Sequence, residues 1–171
     1  MTIVIFSCDN EFAMNHLSRS SDYPAALDPA ARWAGYMGVL PFALSLALTA
    51  LGSSRDLALL GLQIAIAWGA SILSFIGAVH FGLALAGRLS WSATTVIVSV
   101  LPSVIGAGAI LVGGERGMAI LVVGFSLFWL FEHRAYRDVL PPEYLDLRRV
   151  LTLLVCALLV LTAFAGSGAL S

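Results

Sequence analysis

Residues 57–87, LALLGLQIAIAWGASILSFIGAVHFGLALAG, run for 31 positions without a charged side chain. A helix needs about 20 predominantly apolar residues to cross the hydrocarbon of a bilayer, and this run exceeds that. It lacks the two-residue alternation of an outer-membrane barrel strand and is far longer than such a strand requires. A helix also satisfies every backbone N–H and C=O within one segment, which lipid demands. The reading is therefore a transmembrane helix, and the rest of the chain follows from asking how often that pattern recurs.

Four further charge-free intervals appear: Trp33 to Ser54, Leu89 to Gly114, Gly117 to Phe131, and Val150 to Ser171. The fourth span overall, Gly117 to Phe131, is short, roughly 22 Å at 1.5 Å per residue. It crosses only if Arg116 and the Glu132-His133-Arg134 cluster lie at the headgroups. The expected fold is an all-α integral membrane protein, a bundle of five transmembrane helices over about 33–53, 57–87, 90–112, 117–132 and 147–167. Residues 29–171 form that domain and residues 1–28 a polar N-terminal tail. Asp28 reads as an N-cap with Pro29 at the first helical position. Pro142 and Glu143 suit a first helical turn, so span five is expected to begin outside the lipid.

Composition agrees. The chain has 171 residues, 60% hydrophobic and 11% charged, against roughly 25% charged in soluble domains. All nine basic residues are arginine, which reads as genomic composition. A net charge of −1 gives no sign of nucleic-acid binding. The two cysteines, Cys8 and Cys156, fall in the tail and in span five, so no disulfide is expected. The start, MTIVIFSCDNEF, lacks the basic region of a signal peptide.

With five spans, the tail and the loops after spans two and four share one side. That side carries Arg19, Arg32, Arg88, Arg134, Arg137, Arg148 and Arg149, and the other carries Arg55 and Arg116. Arginine near span ends is retained in the cytoplasm, which places the N-terminus inside and the C-terminus outside, on the periplasmic face in a bacterium.

Span two is the informative one. Ala70, Ser74, Ala78, Gly82 and Ala86 recur every four residues, a ladder that would admit another helix. His80 lies nearly opposite, near Gly69, Gly77 and Gly87. Small residues on two faces make span two the expected centre of the bundle. An intramembrane histidine either ties two helices together through hydrogen bonds or marks a proton or ligand site. Span three offers Thr94, Thr95, Ser99 and Ser103, and Pro102 frees a carbonyl and would open space beside His80. The binding residues expected on this reading are His80, Ser99, Ser103 and Ser74. With no second histidine in the membrane, metal and haem ligation are disfavoured, and no cofactor is expected.

The segment FEHRAYRDVLPPEYLDLRRVL, Phe131 to Leu151, is the other polar concentration. It reads as a solvated cytoplasmic connector. Glu132, His133, Arg134, Arg137, Arg148 and Arg149 form the expected interaction surface for a protein partner or anionic lipid. No P-loop, H-E-x-x-H, C-x-x-C or G-x-S-x-G pattern occurs, which points away from an enzyme. Glu132 and His133 are the one acid/base pair in sight, and neighbours on a helix point about 100° apart.

Three blocks of sequence, GYMGVLPF in span one, ILSFIGAVHFGLAL with LPSVIGAGAIL in spans two and three, and LPPEYLDLRRVLT before span five, resemble the domain-of-unknown-function family numbered 3429, which includes the animal transmembrane protein 69. The resemblance runs from about Arg32 to Ala165. The family pattern has His-Trp-Gly where this chain has His80-Phe81-Gly82, and often Asp where this chain has Glu132. It implies a small multi-pass protein of bacterial inner membranes and of mitochondria, with no assigned activity.

The leading functional expectation is an accessory or assembly subunit that packs within a larger membrane complex, its partners being the bilayer and other membrane subunits. The alternative is a transporter or a small-molecule or lipid binder with a pocket around His80. The lack of carboxylates inside the spans and of an inverted repeat counts against the alternative.

Overall fold

The computed structural model describes residues 28–136 and 142–170, so residues 1–27 of the polar tail, and Arg137, lie outside the described residues. All regular structure among the described residues is helical. The elements are α1 (Pro29–Met37), α2 (Leu40–Leu51), α3 (Arg55–Leu85), α4 (Ala93–Val112), α5 (Gly114–Ala135) and α6 (Pro142–Leu170). Counting α1 and α2 as one interrupted span, five segments are long and apolar enough to cross a membrane.

Local chemistry sets the ends. The Asp28 carboxylate accepts from the Ala30 N–H and caps α1. Ser54 and Ser92 cap α3 and α4 by accepting from Leu57 N–H and Thr95 N–H. Gly113 and Gly114 turn the chain between α4 and α5 at φ +66° and +55°, where a side chain would be strained.

Span one is broken, which charge-free length alone did not reveal. Pro41 has no N–H to donate to the preceding turn, so the helix interrupts at Gly38 and Val39 before resuming at Leu40. The carbonyl of Gly38 instead accepts the Trp68 indole N–H of α3 at 2.9 Å. A neighbouring helix thus re-satisfies a backbone group released in lipid, as the medium requires.

Helix α3 touches α2, α4, α5 and α6 and is the centre of the bundle. Its buried face carries Leu62, Ile66, Gly69, Leu73, Ile76, Gly77 and His80. The core joins these to Phe42, Ala109, Met118, Leu121, Phe125, Val155 and Leu159. Lipid tails are as apolar as leucine, so close approach of backbones has to do much of the packing. Gly106 of α4 lies against the Ala70 backbone, and Gly77 lies so near Ser99 and Pro102 that a Cβ there would sit 2.5 Å from the Ser99 carbonyl oxygen. The outer surface, with Leu51, Phe75, Leu111 and Phe164 exposed, is apolar as a lipid-facing surface should be.

Two expectations are corrected here. The small-residue ladder of span two meets another helix at Ala70, and its later positions face outward. Ala78 and Ala86 are exposed, and a Cβ on Gly82 would meet nothing within 4 Å. Span four is not short. It is a helix of 22 residues, roughly 33 Å long, which continues through Glu132 because that residue is buried and partnered.

Candidate functional site

His80, Glu132 and Arg148 sit at equivalent positions on three helices. Along α3 the buried residues Leu62, Ile66, Gly69, Leu73, Ile76 and His80 alternate in steps of four and three. Met118, Leu121, Phe125, Phe128 and Glu132 do the same on α5, and Leu145, Arg148, Thr152, Val155 and Leu159 on α6. That spacing keeps one stripe of a helix facing its neighbours. Each ionisable residue continues an apolar stripe, so the fold carries it inward. His80 comes five residues before the end of α3, Glu132 three before the end of α5, and Arg148 six after the start of α6. All three therefore lie within about two turns of the same end of the bundle, roughly 4–9 Å in from it.

There they meet. Arg148 Nε donates to Glu132 Oε2 at 3.1 Å, and Arg148 Nη1 donates to the Thr152 hydroxyl at 3.3 Å. The other carboxylate oxygen, Oε1, faces His80 Nε2 at 3.6 Å, beyond hydrogen-bond range. His80 Nδ1 lies 3.2 Å from the Ile76 carbonyl oxygen. The imidazole stands edge-on to Phe128 with centroids 5.3 Å apart, and 5.1 Å from the ring of Tyr136. His80 and Glu132 are 1% and 0% exposed and Arg148 is 8% exposed, so little water reaches the cluster from outside.

The Glu132–Arg148 pair is close to charge-neutral, which a low-dielectric site strongly favours over either ion alone. Four buried side-chain polar atoms have no hydrogen-bond partner among the described residues: Trp129 Nε1 and, within the cluster, His80 Nε2, Glu132 Oε1 and Arg148 Nη2. A buried polar group left unpaired costs about 1–3 kcal/mol. Concentrating three of them on side chains in mutual contact is a departure that calls for an occupant or a role.

The expected site is thereby redrawn. Glu132 and Arg148, read from sequence as parts of an exposed cytoplasmic surface, are buried and form the site with His80. His133 and Arg134, one and two positions on, are exposed, with His133 stacked on Trp129 at 5.6 Å. Arg149 is exposed as well. Glu132 and His133 therefore diverge and do not make an acid/base pair.

The hydroxyls expected beside His80 turn to their own helices. Ser74 donates to the Ala70 carbonyl and Ser99 to the Thr95 carbonyl, and Ser103 is exposed. The space that Pro102 was expected to open is filled by the approach of Gly77. Among the described residues, no group of three or more His, Cys, Asp or Glu is placed to hold a metal ion.

Open clefts also lie elsewhere among the described residues. One of about 430 Å³ separates α5 from α6 between Met118 and Leu159, with Glu115 and Ser167 at its rim. Two more, about 310 and 360 Å³, lie around Arg32 and Tyr36 at the start of α1.

No curated protein and no solved structure matches the chain. A family model described as "Protein of unknown function (DUF3429)" matches residues 27–164, a stretch that contains α1 to α5, most of α6 and all three residues of the buried cluster. The chain belongs to the DUF3429 family.

Proposed function

We propose that this multi-pass membrane protein holds a small polar molecule within the bilayer at the His80–Glu132–Arg148 cluster, acting as a binder or as part of a transport step. The observation that carries this reading is the set of unpaired polar atoms on three buried, touching side chains. The objection raised by the sequence, that the spans hold no carboxylate, no longer applies, because Glu132 lies inside one. Intramembrane ionisable groups are expensive and commonly mark the path of a substrate or proton.

The reading includes a location and an orientation. Arg148 is neutralised by Glu132 and should not be counted as a topological charge. Removing it leaves Arg19, Arg32, Arg88, Arg134, Arg137 and Arg149 against Arg55 and Arg116. Six against two still favours a cytoplasmic N-terminus in a bacterial inner membrane, with the cluster near the cytoplasmic end.

The test is purification from native membranes in mild detergent, wild type beside His80→Ala, followed by solvent extraction and mass spectrometry. A compound present near one per chain in wild type and depleted in the variant is the expected result. Extracts that are indistinguishable, with both proteins still folded, would remove the reading.

A second reading, an accessory subunit in a larger membrane complex, is favoured by one observation: the outward face of α3 at Ala78, Gly82 and Ala86 is small and unoccupied. A helix from another chain could approach closely there. Crosslinking from that face would capture a stoichiometric partner if this second reading holds, and only lipid if it does not.

A further inference from the structure

The hydrogens of the cluster narrow what it can receive. The Ile76 carbonyl can only accept, so His80 Nδ1 at 3.2 Å is the donor and carries the proton. Arg148 already balances Glu132, so a charged ring would leave the buried cluster with a net positive charge; a neutral imidazole protonated at Nδ1 avoids that cost and presents a lone pair at Nε2. That lone pair faces Glu132 Oε1, itself an acceptor, at 3.6 Å. Two acceptors opposed in a dry site repel unless a hydrogen lies between or beside them. The remaining orphan, Arg148 Nη2, is a donor. The unmet demand is thus for hydrogens at His80 and Glu132 and for a lone pair at Arg148.

Among groups that meet the site through a single oxygen atom, an uncharged hydroxyl supplies both. A carboxylate or phosphate would satisfy Arg148 but oppose the His80 lone pair and the Glu132 charge. An ammonium would satisfy His80 and Glu132 but offer Arg148 no lone pair and add a positive charge beside it. A hydroxyl donates and accepts at once. Being uncharged, it leaves the Glu132–Arg148 pair balanced, whereas a net charge in this buried position would carry a large desolvation cost.

We infer that the cluster receives an uncharged hydroxyl group, which donates to His80 Nε2, with its hydrogen beside Glu132 Oε1, and accepts from Arg148 Nη2. This inference rests on the binding role proposed above and specifies its ligand. The hydroxyl has two sources, an alcohol or phenol dissolved in the membrane, or water.

The test combines two measurements on the full chain. In protein carrying 15N-histidine in lipid nanodiscs, the His80 resonances, assigned by their loss in His80→Ala, report which ring nitrogen bears the proton. The expected result is a neutral ring with Nδ1 protonated and Nε2 accepting a hydrogen bond. An imidazolium, or a proton on Nε2 alone, overturns the inference.

In parallel, solvent extracts of wild type and of His80→Phe, which keeps a ring but removes the acceptor, are compared by mass spectrometry. An alcohol or phenol retained by wild type, and reduced roughly tenfold in the variant for the loss of one buried hydrogen bond, supports both the inference and the binding role. The expected tautomer with no such compound in the extract identifies the hydroxyl as water, sustaining the inference and ending the small-molecule role. An acid, phosphate or amine retained in a His80-dependent way overturns the inference and leaves the binding role intact.

Discussion

At the end of the bundle where α2 gives way to α3, helices meet through their backbones, and at the opposite end they meet through charge. Gly61 of α3 lies against Thr49 and the Ser45 carbonyl of α2, and Gly117 of α5 against the Ala109 carbonyl of α4. The buried hydroxyls there bond within their own helix, Ser45 to the Phe42 carbonyl and Thr49 to the Ser45 carbonyl, so no polar group is left over. At the other end a carboxylate, a guanidinium and an imidazole link α3, α5 and α6, and three of their atoms have no hydrogen-bond partner among the described residues. Lipid provides little hydrophobic force between helices, so a bundle can be tightened by small residues or joined by polar ones. The glycine end is complete as packing. The charged end carries more polarity than joining helices requires, and the proposed binding role rests on that excess.

The contrast is broken most severely by unpairing the charges. Arg148→Ala leaves the Glu132 carboxylate buried without its counter-ion and is expected to destabilise the fold by about 3–5 kcal/mol. Reversible unfolding in mixed micelles or bicelles measures this, and a loss below about 1 kcal/mol would show that water reaches the pair. The double replacement Glu132→Leu with Arg148→Met should recover most of the loss, since exchanging a buried pair for apolar side chains is commonly neutral or better. Recovery of stability without recovery of any bound compound would separate the role of the cluster in folding from its role in function.

At the glycine end the expected effect is smaller and steric. A Cβ on Gly61 would lie 2.7 Å from the Ser45 carbonyl oxygen, which belongs to a helix backbone and cannot rotate aside. Gly61→Val is expected to cost about 1–3 kcal/mol through forced separation of α2 and α3. It should leave the tautomer of His80, at the far end of α3, unchanged. A change at His80 of the size seen in Arg148→Ala would mean that the two ends are coupled and the comparison is misdrawn.

Smaller still are the serines. Ser74→Ala removes only a bond to the Ala70 carbonyl of its own helix, and Ser103 is exposed. Each replacement should alter stability by no more than about 0.5 kcal/mol and leave any His80-dependent compound in place. Loss of that compound in Ser74→Ala would restore the serine to the site.

These contrasts also show what the sequence discloses. Five spans, the Asp28 cap, the start of the last helix at Pro142 and the central place of α3 follow from charge-free length, cap chemistry and the spread of small residues. The site was legible in part. His80 stood out because a long apolar run isolates it. Glu132 and Arg148 did not, because charges next to an apolar run read as span boundaries. The relevant signal was periodic: Glu132 continues the stripe of Met118, Leu121, Phe125 and Phe128, and Arg148 that of Thr152, Val155 and Leu159. A charge on the inward stripe of a membrane helix needs a partner at the same depth, and the ends of α3, α5 and α6 provide one another's. The break in span one was marked by Pro41, but the indole that repairs it lies 30 residues further on, a pairing that no local pattern encodes.

The smallest expected effect is also the one that discriminates best between binder and subunit. Gly82 has open space where a Cβ would project, so Gly82→Leu meets no other described part of this chain. Stability of the isolated protein should stay within about 0.5 kcal/mol of wild type, or rise slightly because glycine is a poor helix former. If α3 shows this face only to lipid, function in the membrane is equally untouched. If another helix seats against Ala78 and Gly82, a leucine there holds the two backbones apart, and the partner is lost from mild-detergent preparations while the isolated chain unfolds as before. A variant silent in the purified protein but disruptive in the native membrane would place a subunit on this face, whatever the charged end binds.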